Sequence, residues 1–238
     1  MNLIIPQGHR DADSILEGRF STAWTELRDT LTDISPPLRA SEPFTTGRRP
    51  DTPKRHKVTP KPPVYRMLPI DQSALNVEID RRLALQGWRS QPYALQGVTG
   101  TKLPTFLQGD FAKESVFVEV EFGNQASLFR DLFKFQIAGQ TSAGDVGILV
   151  VATDEVARFF DSGVATYEQA MRLMPYMRIG LSLPTAIVGL GLSLTDWERV
   201  ERRYNEMQAV AEANGVRCRS FAEVRRQPRS DPDLGLES

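Results

Sequence analysis

The sequence predicts a mixed α/β domain, a central mixed sheet of about five strands flanked by helices, and three observations point to it. Strand-like and helix-like segments alternate between residues 105 and 214. Two of the strand-like segments, residues 146–151 and 186–192, are nearly unbroken apolar runs, as expected of strands covered on both faces. The 238 residues, 40% hydrophobic and 25% charged, have the length and composition of one globular domain spanning 1–238.

Residues 13–34 place Ile15, Leu16, Phe20, Trp24, Leu27, Leu31 and Ile34 at helical spacing. One amphipathic helix is expected there, with Asp13 or Ser14 as its cap and Pro36-Pro37 as its stop. Residues 43–66 hold six prolines and seven Lys/Arg against one Asp, too little apolar surface to fold alone, so a basic arm or loop is expected. Leu75, Val77, Ile79, Leu83 and Leu85, with Gly87 near the end, predict a second helix within residues 70–88. The segments TFLQGDF, ESVFVEVEF, DVGILVVAT and TAIVGLGLS then read as strands. Between the second and third, Leu128, Leu132, Phe133, Phe135 and Ile137 mark an amphipathic helix. The predicted order is strand, strand, helix, strand, helix, strand, helix, the last helix being residues 195–214 followed by Gly215. Residues 227–238 read as a flexible tail, and there is no internal repeat.

Composition excludes several chemistries. The single Cys218 cannot form an internal disulfide, and with only His9 and His56 there is no zinc site of the usual Cys/His kind. A reducing cytoplasm is the expected setting, without a signal peptide or a membrane span. Gly189-Leu190-Gly191 hints at a dinucleotide turn, but Leu194 stands where the third glycine belongs. Arg217 and Arg219 flank Cys218 and would lower its pKa, yet a lone cysteine without a His-type partner is more often incidental. A net charge of -1 argues against a uniformly basic nucleic-acid binder, but the charge is segregated: -3 over residues 1–42, +6 over the arm, -4 over the rest.

The sharpest feature is Asp110, followed nine residues later by Glu119-Val120-Glu121. In a strand, Val116, Val118, Val120 and Phe122 face one side while Glu119 and Glu121 face the other, their carboxylates roughly 6.5–7 Å apart by strand rise. If Asp110 ends the neighbouring strand, a third carboxylate reaches the same point. Converging oxygen donors without His or Cys suit a hard cation such as Mg²⁺, and the arrangement serves metal-assisted phosphodiester hydrolysis. The plainer reading is that Glu-Val-Glu is the wet face of an edge strand. Likewise Arg130 and Lys134, four apart, offer a phosphate-contacting helix face or are two exposed bases with no role.

Gly109-Asp110-Phe111, the gap to Glu119, and Glu-Val-Glu-Phe-Gly-Asn over residues 119–124 resemble the core of the BglII and BamHI group of type II restriction endonucleases, within the PD-(D/E)XK nuclease superfamily. The likeness runs outward through ADSILEGRF, IDQSALNVEIDRRLALQGW, GDVGILVVAT, ATYEQAMRLM and AIVGLGLSLTDW, covering roughly residues 11–197 without the arm. It implies a restriction-endonuclease-like fold and a homodimer cutting double-stranded DNA at a short palindrome with Mg²⁺. It further implies that Asp110, Glu119 and the carbonyl of Val120 hold the metal while Glu121 orients or deprotonates the attacking water. By the same resemblance Asn124 reads a base edge, Asp161 and Ser162 lie in a second recognition loop, and Gln91 stands near the scissile phosphate. Arg48, Arg49, Lys54, Arg55 and Lys57 of the arm would track the phosphate backbone, or form a solvated insertion without a partner. Beyond Trp197 the sequence departs from the group, since a helix is predicted where extra β structure is expected. Two other functions fit the same residues: a nuclease-fold DNA-binding protein that no longer cuts, and a repair or mobile-element nuclease of low specificity.

Overall fold

The computed structural model describes residues 1–5, 8–40, 67–95, 103–160, 163–177 and 180–226. The arm at residues 43–66, the tail at 227–238, and Asp161 and Ser162 lie outside the described residues.

Val146–Ala152 (β5) and Thr185–Gly191 (β6) are buried at every position, which the interior of a sheet covered on both faces requires. Around them, β1 (Asn2–Ile4), β2 (Arg89–Ser90), β3 (Phe111–Lys113) and β4 (Val116–Glu121) complete a sheet of six strands among the described residues, ordered β1-β6-β5-β4-β3-β2. The sheet is mixed. β4, β5 and β6 are parallel, with Val118 opposite Ile148 and Ile148 opposite Ala186. β3 and β4 form an antiparallel hairpin whose two turn residues, Glu114 and Ser115, both have φ in the left-handed region, as a tight primed turn demands. β1 and β2 lie at the two edges and are two or three residues long, too short to show a periodicity, so the sequence revealed neither as a strand.

Two apolar layers hold the sheet. One face carries Val116, Val118, Ile148, Val150 and Val188 against α1 (Ala12–Gly18), α2 (Ser21–Asp33) and α3 (Gln72–Leu85). The other carries Phe117, Leu149, Val151 and Ile187 against α4 (Gln125–Gln140) and α6 (Tyr167–Met177), after the single turn α5 (Asp154–Ala157). Phe159 then joins Trp197 and Tyr204 of α7 (Leu194–Ala213) and Phe221 of α8 (Phe221–Arg226) in an aromatic cluster, the Phe159 and Phe221 rings stacking at 5.0 Å. The helix expected after residue 194 is therefore present, and Ser193 caps it by accepting the Asp196 N–H.

Three local expectations are corrected. The helix over residues 13–34 is two helices, because Phe20 leaves helical geometry; the break resets the phase so that Ala12 and Leu16 as well as Ala23, Trp24, Leu27 and Leu31 are buried. Neither Asp13 nor Ser14 caps the first: Asp11, at φ 56°, takes the cap position without a side-chain hydrogen bond. TFLQGDF is not a strand at its start, since Thr105–Leu107 forms a 3₁₀ turn after Pro104, Gln108 makes only an isolated bridge to Tyr93, and the strand begins at Phe111. In α3, Asp71 caps by accepting the Ala74 N–H, Leu75, Ile79 and Leu83 are buried, and Val77 and Leu85 face solvent. The Gly-Leu-Gly of β6 has a packing reason: a Cβ on Gly189 would stand 2.8 Å from Cγ of Tyr167. No helix among the described residues is long and apolar enough to cross a membrane.

Candidate active site

Hairpin register builds the site. Phe111 faces Val118, and continuing that antiparallel pairing by one residue sets Asp110 opposite Glu119. The Asp110 N–H donates to the Val118 carbonyl at 3.2 Å, and Asp110 Oδ2 accepts the Val120 N–H at 2.7 Å. A two-residue turn makes the separations of facing residues 3, 5 and 7 along the strands, and nine is that of the next pair out.

Glu119 and Glu121 share one face of β4, as alternation predicts, but that face is dry. β4 lies between β3 and β5 rather than at an edge, and α4 covers it, leaving Glu119 1% and Glu121 6% exposed. The edge-strand reading therefore fails. So does the reading of Lys134 as an exposed base: it is buried, its Nζ donating to Glu119 Oε2 at 2.6 Å and to Asp131 Oδ1 at 2.9 Å. The half-exposed Arg130 reaches Asp131 Oδ1 at 3.3 Å and Glu121 Oε2 at 3.2 Å. The other oxygen of Glu121 accepts a short hydrogen bond from the Gly123 N–H.

Asp131 was not identified from sequence, yet a signal existed. Residues 128, 131, 132 and 135 share one helical face, so Asp131 stands at a core position between Leu128, Leu132 and Phe135. A carboxylate at such a position is buried for a reason, here to anchor Lys134 beneath the sheet.

The charges are mutually dependent. Burial, and then the charges of Asp110 and Asp131, push Glu119 well above the ordinary carboxylate range, against the pull of Lys134. Burial also raises Asp110, opposed by its hydrogen bond from Val120. Glu121 is pushed up to about 7, by burial first and Asp131 second. Lys134 is held above its usual value by Glu119 and Asp131 in spite of burial, so its ammonium is charged. Cys218 moves opposite to the sequence expectation: burial and Glu212 raise its thiol.

Two shallow clefts meet at Asp110. One, about 220 Å³, is lined by Gln91, Thr105, Phe106, Gln108, Arg130 and Lys134 as well as Asp110. The other, about 170 Å³, is lined by Asn76, Asp80, Gln91, Asp110 and Val120 among others. Gln91 thus borders both; it sits at φ 52°, a left-handed conformation, and its N–H donates to the Asp110 carbonyl at 2.9 Å. Asn124 caps α4, its Oδ1 accepting the N–H groups of Ala126 and Ser127. It bridges to Val164, so the chain just after residues 161–162 returns beside it.

Glu119 Oε1 is buried without a hydrogen-bond partner, beside Asp110, and this orphaned acceptor fits a cation. Among the described residues no three His, Cys, Asp or Glu side chains cluster closely enough to hold a metal, Glu121 being turned to Gly123 and Arg130. The available side-chain ligands are Asp110 and Glu119.

No curated protein sequence matches the chain. Among solved structures, restriction endonuclease BglII complexed with a DNA 16-mer is similar with a TM-score of 0.58 and 19% identity, over 81% of this chain and 78% of that one. Free BglII is similar with a TM-score of 0.54 and 18% identity, over 81% of each chain. These likenesses establish the fold, a restriction-endonuclease fold. The family described as restriction endonuclease BglII/BglIII matches residues 7–190, a span that includes the whole hairpin and α4 and ends before α7. By that match over most of its length, the chain belongs to the BglII/BglIII family of restriction endonucleases.

Proposed function

We propose that the protein is a Mg²⁺-dependent type II restriction endonuclease that hydrolyses double-stranded DNA at a short palindrome centred on GATC, leaving 5′-phosphate ends on a four-base 5′ overhang. The observation that carries the reading is the unpartnered, buried Oε1 of Glu119 beside Asp110, which lines a cleft together with the cations Arg130 and Lys134. The DNA-bound BglII structure supports duplex DNA as the ligand. Asp110, Glu119 and the Val120 carbonyl would hold the ion. A divalent cation there supplies charge neutralisation at the phosphoryl group and acidifies a water. Glu121, whose pKa burial pushes up to about 7, would be matched to accepting a proton from the attacking water near neutral pH. Gln91, in the cleft at Asp110, would border the DNA backbone, while Asn124, Asp161 and Ser162 would serve base recognition, Asn124 through the amide NH₂ that its capping role leaves over. The enzyme would act in the cytoplasm.

Plasmid DNA incubated with the protein and Mg²⁺, followed by sequencing of the ends, tests the proposal. Discrete ends within one palindrome support it. A smear points to a nuclease of low specificity, and intact DNA with retained binding points to a protein that no longer cuts.

Cutting both strands of a palindrome calls for two copies related by a two-fold axis. Phe129 and Phe133 on α4 and Tyr176 on α6, helices on the same face of the sheet, are 47%, 54% and 71% exposed and offer aromatic side chains to a second copy. We expect Phe133→Glu to shift the protein from dimer to monomer in light scattering; an unchanged mass would remove α4 from the interface.

The basic arm would contribute affinity without sequence preference. Neutralising Arg48, Arg49, Lys54, Arg55 and Lys57 together should lower the slope of log K against log[salt] by up to roughly 4–5 if each meets one phosphate. An unaltered slope would mean that the arm does not touch DNA.

A further inference from the structure

The ammonium of Lys134 is not a surface charge that can swing away. Its side chain is 5% exposed and pinned at both sides, by Glu119 Oε2 at 2.6 Å and Asp131 Oδ1 at 2.9 Å. Asp131 is itself 1% exposed and shared with Arg130. Glu119 is therefore split: one oxygen is saturated by a fixed cation, and the other, Oε1, is buried and unpartnered. Any ion that takes Oε1 shares a single carboxylate with a permanent positive charge, in surroundings too dry to screen the repulsion. Lys134 also lines the cleft at Asp110, where a phosphate of DNA would bring compensating negative charge.

We infer that Lys134, pinned by Asp131, is a resident cation that keeps the divalent-metal affinity of the DNA-free protein low and so couples metal binding to DNA binding. The inference rests on the metal reading of Asp110 and Glu119 above and deepens it. Without DNA the fixed ammonium opposes the ion. With a phosphate in the cleft the added negative charge offsets the ammonium, and the ion binds more tightly. Linkage makes the effect reciprocal, the ion strengthening DNA binding by the same factor. A restriction enzyme so built carries little metal until it is on DNA.

The test is the affinity of the full-length protein for Mn²⁺ without DNA, read by electron paramagnetic resonance of the free ion. Lys134→Met removes the charge and keeps an apolar stem of similar length. Lys134→Gln also removes it but still donates a hydrogen bond to Glu119, which protects the fold. Both should bind Mn²⁺ at least tenfold more tightly than the parent, while Lys134→Arg should stay near it. Thermal melting of the metal-free proteins reports whether each variant is folded. Independently of any variant, a mixed-sequence DNA duplex should tighten Mn²⁺ binding to the unmodified protein at least tenfold. Parent-like or weaker Mn²⁺ binding by folded Lys134→Met and Lys134→Gln would overturn the inference, as would a duplex that leaves the affinity of the unmodified protein unchanged. Glu119→Gln separates the two levels. If it leaves Mn²⁺ binding intact, the ion does not use Glu119, and the metal reading falls together with this one; if it weakens binding while the Lys134 variants do not tighten it, only the role of Lys134 falls.

Discussion

Glu119→Ala should lower the DNA cleavage rate by about 10³-fold or more while leaving DNA binding measurable, the scale expected when a metal ligand at the reacting phosphate is removed. The substitution deletes the only buried carboxylate oxygen of the hairpin that lacks a protein partner, together with the acceptor of Lys134. It should not unfold the protein, because Lys134 keeps Asp131 at 2.9 Å and no charge is stranded. Rates measured with Mg²⁺, alongside a melting curve and a binding assay, separate chemistry from folding. A Glu119→Ala protein that cuts at the normal rate places the active site elsewhere.

Gly109→Ala should damage stability and activity together. A Cβ at residue 109 would stand 2.4 Å from Cε1 and 2.5 Å from Cζ of Phe117, and 2.9 Å from Glu119 Oε1. Neither neighbour gives way cheaply: Phe117 is fully buried edge-on against Phe135 at 6.2 Å, and the other oxygen of Glu119 is tied to Lys134. Overpacking of this kind costs about 1–3 kcal/mol. For a chain of this size each kcal/mol moves the melting temperature by roughly 2–4 °C, so a fall of about 2–12 °C is expected. Because the methyl group presses on the oxygen that would meet the ion, cleavage should also fall by more than tenfold at a temperature where the protein is fully folded. Melting and cleavage at parent levels would show that residue 109 has room and that Glu119 Oε1 is not held against it.

The part of the site that was legible in sequence is the part carried by short-range geometry. Asp110 and Glu119 are brought together by a hairpin whose register follows from a two-residue turn, and Glu119 and Glu121 share a face because strands alternate. The charged layer beneath them was not legible. Arg130 and Lys134 read as a solvent face, since a helix pattern ranks residues by polarity and cannot say that α4 packs its acidic and basic positions onto two glutamates. Asp131 broke the apolar stripe of α4, and a polar residue inside such a stripe is the cue that could have exposed it.

The sequence by itself determined the sheet core and most of its helices, the shared face of Glu119 and Glu121, and the family to which the carboxylate motif points, because apolar periodicity, strand alternation and a spaced motif are local properties. Only the tertiary structure decided that Glu119 is dry, that β4 is internal, that α1 and α2 are separate helices, and that Lys134 occupies one oxygen of Glu119 while the other waits for a partner. Burial, and the charges that burial forces together, depend on which segments distant in the chain come to lie against one another, and no local pattern records that.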